Sequence, residues 1–302
     1  MIMTNFMFRQ SKAICFALAL FLAGFGTVKA QSESTAFTLD NIQAVSFGEE
    51  LSMPVWSPDD SRLLAATSHG MMLRMIDLNK KNSIQTISNS RGAGFNASWS
   101  LDGEMVFFRY KDNERQIHPE IKSFSLQDGK TKSSKLHPNG LSSASKAVKN
   151  TDPVVFVNVE SLGIEAQTKD ESRCWKITGD EGQFYNPLLA PDKKSLIVHE
   201  GSEMYLYATD GSGVIKHLGT GIASSWSPDG KYVLAFLDSS NDGHIISGSE
   251  LYLIDINANK ITQLTNSEDM NEMWPNWSND GSKIAFEDER SGKIFVADIV
   301  KN

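Results

Sequence analysis

The chain has 302 residues, with 29 Lys or Arg against 37 Asp or Glu and a formal charge of −8. That balance disfavours nucleic acid and anionic membrane surfaces as partners, and it leaves cationic partners, divalent metals and neutral glycans open. Two cysteines in so long a chain exclude a disulfide-built scaffold.

The first element is a targeting segment. Arg9 and Lys12 form a short positive region, residues 13–26 are apolar, and Val28-Lys29-Ala30 places small residues where a signal peptidase reads them. The apolar core is too short for a spanning helix. Residues 1–30 are therefore expected to be a signal peptide, and the mature chain to be periplasmic or secreted with no membrane span. Cleavage removes Arg9, Lys12 and Lys29, which makes the mature chain more acidic still. It also removes Cys15 and leaves Cys174 beside Trp175, expected to be a buried, inert thiol in an outer strand.

Residues 31–302 read as one domain built on a recurring phrase. Trp56-Ser57-Pro58-Asp59-Asp60 leads into Leu63-Leu64-Ala65, and Trp99-Ser100-Leu101-Asp102-Gly103 leads into Met105-Val106-Phe107-Phe108. The next clear copy, Leu189-Ala190-Pro191-Asp192-Lys193, lies about two repeat lengths further on. A worn copy, Val148-Lys149-Asn150-Thr151-Asp152-Pro153 followed by Val154-Val155-Phe156-Val157, falls inside that gap. Trp226-Ser227-Pro228-Asp229-Gly230 and Trp277-Ser278-Asn279-Asp280-Gly281 complete six copies. In each, the apolar residue closes an inner strand, Pro-Asp-Gly chemistry makes the turn, and the β-branched and aromatic run forms a second strand. A third strand such as Glu250–Asp255 and a fourth such as Lys260–Leu264 follow. Radial repetition of four antiparallel strands predicts an all-β, six-bladed β-propeller. The last copy runs out after three strands. Ile42-Gln43-Ala44-Val45 resembles Ile261-Thr262-Gln263-Leu264, so an N-terminal strand is expected to close the ring. Residues 130–149, rich in Ser and Lys, read as the worn junction between the second and third blades.

These phrases resemble the WD40-like PD40 repeats of the periplasmic TolB proteins and their relatives. The resemblance covers nearly all of the mature chain. It implies a propeller and a periplasmic binding or scaffold role. TolB chains carry an α/β domain before the propeller, and none is read here; the third copy has also lost its Trp and Gly.

Blade topology sorts the loops. The Pro-Asp-Gly turns share one face with short, uniform hairpins. The other face collects residues 47–50, 91–96, 137–139, 181–186 and 268–274 between blades, and 69, 109–118, 199–200 and 238–250 within them. Varied loops on a rigid scaffold are where binding residues usually sit. The ligand-binding candidates there are Arg91, Phe95, Tyr185, Asn186, Glu272 and Trp274; the aromatics could stack on a sugar or grip a peptide, or simply fill the space between blades. The insertion 238–250 carries Asp238, Asp242, His244 and Glu250, a metal candidate set or an ordinary polar loop. Five of the six histidines fall on this face, where they could bind a transition metal or be plainly solvated. No cofactor is dictated; Ca2+ and a transition metal are the candidates.

Enzyme templates fail. There is no Gly-x-Ser-x-Gly elbow, His-Glu-x-x-His, phosphate loop or dinucleotide fingerprint. The acids Glu287, Asp288 and Glu289 could do acid–base work on a glycan but read as a solvated charged loop. The expectation is a non-catalytic, monomeric module that binds a protein or peptide. The alternative is a metal-dependent carbohydrate-active enzyme, lyase or hydrolase, or a glycan-binding module.

Overall fold

A hydroxyl and a carboxylate make the recurring turn. Ser57 Oγ donates to Asp59 Oδ1 at 2.6 Å, Asp59 accepts the Ser61 N–H at 3.2 Å, and the Arg62 N–H returns to Ser57 Oγ at 3.0 Å. The same closed circuit recurs at Ser100/Asp102, Ser227/Asp229 and Ser278/Asp280. The serine hydroxyl holds the carboxyls of Asp59 and Asp102 below the ordinary range. The circuit is local, so the phrase can repeat wherever the chain needs a hairpin.

The computed structural model describes residues 37–302 apart from 68–69, 82, 114–118, 137–139, 180 and 241–244. The signal segment expected at residues 1–30 lies outside the described residues. Strand β1 (Phe37–Ala44) comes first. The first blade is β2 (Leu51–Trp56), β3 (Arg62–Thr67), β4 (Leu73–Asp77) and β5 (Ser83–Ser88), and the second is β6 (Ser98–Trp99), β7 (Met105–Tyr110), β8 (Glu120–Ser125) and β9 (Thr131–Ser134). Helix α1 (Leu141–Ala144) precedes the third blade, β10 (Pro153–Val157), β11 (Ile164–Thr168) and β12 (Cys174–Lys176). The fourth is β13 (Phe184–Leu189), β14 (Ser195–Glu200), β15 (Glu203–Ala208) and β16 (Val214–Thr220). The fifth is β17 (Ile222–Trp226), β18 (Tyr232–Ser240), β19 (Ile246–Asp255) and β20 (Lys260–Gln263). The sixth is β21 (Glu272–Trp277), β22 (Lys283–Asp288) and β23 (Lys293–Lys301), completed by β1. Six antiparallel sheets make a six-bladed propeller, and the N-terminal strand closes it as the sequence predicts.

The core lies between blades. Leu64, Leu73 and Met75 of the first blade meet Trp99, Val106 and Phe108 of the second. Leu234, Phe236 and Leu251 of the fifth meet Trp277, Ile284 and Phe286 of the sixth. Each second strand is thus covered on both faces, which is why its sequence is a continuous apolar run rather than an alternation.

The recurring Trp has a second task. Trp56 Nε1 donates to the Asn276 carbonyl at 3.0 Å, Trp99 Nε1 to that of Val55 at 3.3 Å, and Trp226 Nε1 to that of Leu188 at 3.0 Å. Each acceptor immediately precedes the residue that closes the neighbouring inner strand. One side chain therefore both fills the gap between blades and hydrogen-bonds across it.

The third blade differs. Three strands are paired, and α1 occupies the place of an inner strand within the stretch read as a junction. Ser143 stands in for the missing neighbour: its Oγ accepts the Val155 N–H at 3.0 Å and donates to the Val155 carbonyl at 3.2 Å. Asp152 supplies the turn chemistry, accepting the N–H groups of Val148 and Lys149 and the Lys193 ammonium at 2.6 Å. Lys193 above all holds the Asp152 carboxyl down at about 2. Cys174 is in the outer strand β12 as expected, but it is exposed rather than buried. An outer strand has only one packed flank, and the Cys174 side chain is not on it. Partial burial and the nearby Glu165 push its thiol up, away from thiolate character.

Candidate functional site at the loop-rich end

Four inner strands or their lead-ins carry a non-glycine residue at positive φ, three residues before the closing Trp or Leu: Met53 (52°), Asn96 (53°), Asn186 (48°) and Trp274 (49°). In three of them the ladder skips at this point, between Ser52 and Val55, Tyr185 and Leu188, and Met273 and Asn276. In the same three the next residue is proline (Pro54, Pro187 and Pro275), which has no N–H for the ladder to lose. These are β-bulges, which bend a strand and re-aim its side chains. Backbone in this region is strained by roughly 1–2 kcal/mol per residue and persists only where its surroundings enforce it. The bulges lie at the end of the inner strands away from the Ser-x-Asp turns, on the loop-rich face.

The sequence-chosen residues divide there. Phe95 and Tyr185 occupy the same position in their repeats, one before the positive-φ residue, and are 43% and 37% exposed. The Phe95 ring lies against Gly70, where a Cβ would sit 2.7 Å from it and where φ is +69°. The Tyr185 hydroxyl donates to the Gly201 carbonyl at 2.7 Å, and its ring lies 5.2 Å from that of His199. Asn186 donates to the Ala223 carbonyl of the fifth blade, and Trp274 packs on Phe236 with ring centroids 5.0 Å apart. Those two join blades. Arg91 is exposed in the turn that leads to Phe95, whereas Glu272 is 2% exposed. The set is spread around one end of the ring, on the second, fourth and sixth blades.

The metal candidates do not gather. Leu237 pairs with Glu250 and Asp238 with Ser249, so the side chains of Asp238 and Glu250 leave opposite faces of the hairpin. Asp242 and His244 lie outside the described residues. Among the described residues no three His, Cys, Asp or Glu side chains converge as ligands. Of the histidines expected on this face, only His199 is described. It lies inside β14, fully buried, and its Nε2 accepts the Ala223 N–H at 2.9 Å. Burial brings its pKa down to about 4, so the ring is a neutral strut between blades.

Glu287 and Asp288, read from sequence as a solvated loop, are buried at 6% and 3% exposure. Glu287 accepts the N–H of the bulge residue Met53 at 2.6 Å, tying the sixth blade to the first. Burial, with Glu289 and Asp288 nearby, pushes its carboxyl up to about 7. Asp288 accepts the N–H groups of Asn271 at 2.9 Å and Arg290 at 3.2 Å. The available signal was register: Glu287 continues the doubly covered run Ile284-Ala285-Phe286 and inherits its burial.

A raised carboxyl pKa means that the fold disfavours the ionised form. Stability is therefore highest below the unfolded value near 4.5 and falls as pH rises through about 7. Glu287→Gln keeps an oxygen for the Met53 N–H and removes the charge. It should match the wild type in thermal melts at pH 5 and exceed it at pH 8 by about 2 kcal/mol. An equal difference at both pH values would show that Glu287 is not the titrating group.

No described helix is long and apolar enough to cross a membrane. No family model and no curated protein matches the chain. Solved structures do. A protein assigned as TolB in Agrobacterium tumefaciens is 18% identical over 88% of this chain and 99% of its own, with a TM-score of 0.56. Hydrazine synthase of Kuenenia stuttgartiensis (14% identity, 85% of this chain, 79% of that one, TM-score 0.49) and oligogalacturonate lyase of Vibrio parahaemolyticus (13%, 84%, 79%, 0.49) also match. At such identities the likeness is one of architecture. The chain is a six-bladed β-propeller of the TolB-like fold.

Proposed function

We propose that this protein is an exported, non-catalytic binding module that engages a protein or peptide at the bulged end of the ring. The observation that carries this reading is the equivalent placement of Phe95 and Tyr185, large exposed rings each set one residue before a positive-φ residue at the head of an inner strand. Aromatic side chains fixed in this way offer contact area at little entropic loss on binding. The reading takes residues 1–30 as a cleaved signal, residues 31–302 as one PD40-type domain, and the periplasm or the exterior as its location.

The test is a photo-crosslinking residue placed at position 95 or 185, with position 128 on the opposite face as the control. Adducts with a protein partner from 95 and 185, absent from 128, support the assignment. Equal adducts from all three, or none, overturn it.

A second reading, a carbohydrate-active or glycan-binding propeller, is favoured by one observation. Glu287, an acid poised near neutrality, touches the bulge of Met53 at the same end as Tyr185 and Trp274. Saturable oligosaccharide binding or turnover, lost with Tyr185→Ala or Glu287→Gln, would transfer the assignment to it.

A further inference from the structure

Ser249 of β19 and Asn271, the residue before β21, form a parallel bridge between the fifth and sixth blades. The residues that follow them, Glu250 and Glu272, therefore project side by side from the other face of that pair. Ser267 grips both. Its N–H donates to Glu250 Oε1 at 3.1 Å, and its hydroxyl donates to Glu272 Oε1 at 2.9 Å. The remaining oxygens, Oε2 of each, are buried and have no hydrogen-bond partner among the described residues. Glu272 is 2% exposed, and burial, with Glu250 and Asp288 nearby, pushes its carboxyl up. Arg290, the base of the adjoining loop, donates to the Glu268 carbonyl instead of either carboxylate.

Two neighbouring carboxylates with orphaned oxygens and no basic partner among the described residues form an unstable arrangement unless something positive sits between them. We propose that Glu250 and Glu272 bind one Ca2+ through their Oε2 atoms, linking the fifth blade to the sixth. The donors on the page are all oxygen, which selects a hard cation over a transition metal, and two carboxylates neutralise a divalent one. Backbone carbonyls and water would complete its coordination. This site does not use Asp238, Asp242 or His244, and it is independent of the partner proposed above.

The experiment is calorimetric titration of the purified, chelator-treated protein with CaCl2, with MgCl2 as the comparison, alongside thermal melts. The proposal expects about one equivalent of Ca2+, a rise in melting temperature, and at least a tenfold loss of affinity in Glu272→Gln. Glu250→Gln, at the less buried partner, should lose affinity similarly and covers the case in which the first variant does not fold. Glu268→Gln, at an exposed acid nearby, should bind as the wild type does. Three results would overturn the site. One is a protein indifferent to Ca2+. Another is equal weakening by the 268 and 272 variants, the mark of diffuse counter-ion attraction. The third is a Ca2+-independent gain in stability at pH 8 with Glu272→Gln alongside no calcium heat, the mark of a shared proton.

Discussion

A chain lacking residues 37–44 should show no cooperative thermal melt. Strand β1 pairs with β23 from Phe37 opposite Lys301 to Ala44 opposite Phe295, so its removal leaves a nine-residue strand without an outer neighbour. Phe37 also belongs to the core between the fifth and sixth blades, with its ring 5.0 Å from that of Tyr232. Loss of a buried Phe alone typically costs about 3–5 kcal/mol, against a total stability of about 5–15 kcal/mol. Deletion removes that ring and the closing hydrogen bonds together. Circular dichroism melts and limited proteolysis decide the matter: a cooperative transition near the wild-type temperature would mean that β1 decorates the ring instead of closing it. Phe37→Ala should melt cooperatively but earlier, because the strand stays.

Replacing Trp226 by Ala should lower stability by about 3–5 kcal/mol in urea denaturation. It empties the interblade space among Ala190, Ile197 and Val233 and removes the bond to the Leu188 carbonyl. A finer comparison separates the two contributions. Trp277 is buried in the same way at the next junction, but its indole N–H has no partner among the described residues. Trp226→Phe gives up a hydrogen bond and Trp277→Phe does not, so the first should cost about 1 kcal/mol more than the second. Equal losses would show that the ring of Trp links adds shape without hydrogen-bond stabilisation.

What the sequence disclosed tracks how local the physics is. The Ser-x-Asp circuit closes within six residues, so its recurrence marks four of the six blades in the sequence, and the apolar runs after Asp152-Pro153 and Pro191-Asp192 mark the other two. The closing strand was legible because Ile42–Val45 imitates an outer strand that the last repeat lacks. The worn third copy kept its turn through Asp152, but α1 could not be foreseen: Ser143 replaces a strand through bonds to Val155, a partner twelve residues away. The site was legible only in part. Placing Phe95, Tyr185 and Trp274 at one end followed from topology alone. The bulges leave only the signature Met53-Pro54, Asn186-Pro187 and Trp274-Pro275, and a residue before proline fits a turn as well as a bulged strand. Burial of Glu287, Asp288 and Glu272 depends on the adjacent blade, and a charged run in sequence carries no trace of what will cover it.

The helical turn in the third blade bears on recognition. Six equivalent blades would offer a partner six indistinguishable rotational settings about the ring axis, and a bound complex would be a mixture of them. One blade whose inner wall is α1 rather than a strand removes that degeneracy. A ligand that covers the whole end of the ring then meets one orientation in which every contact is matched. Under the proposed binding role, the wear in the repeat would act as a rotational key.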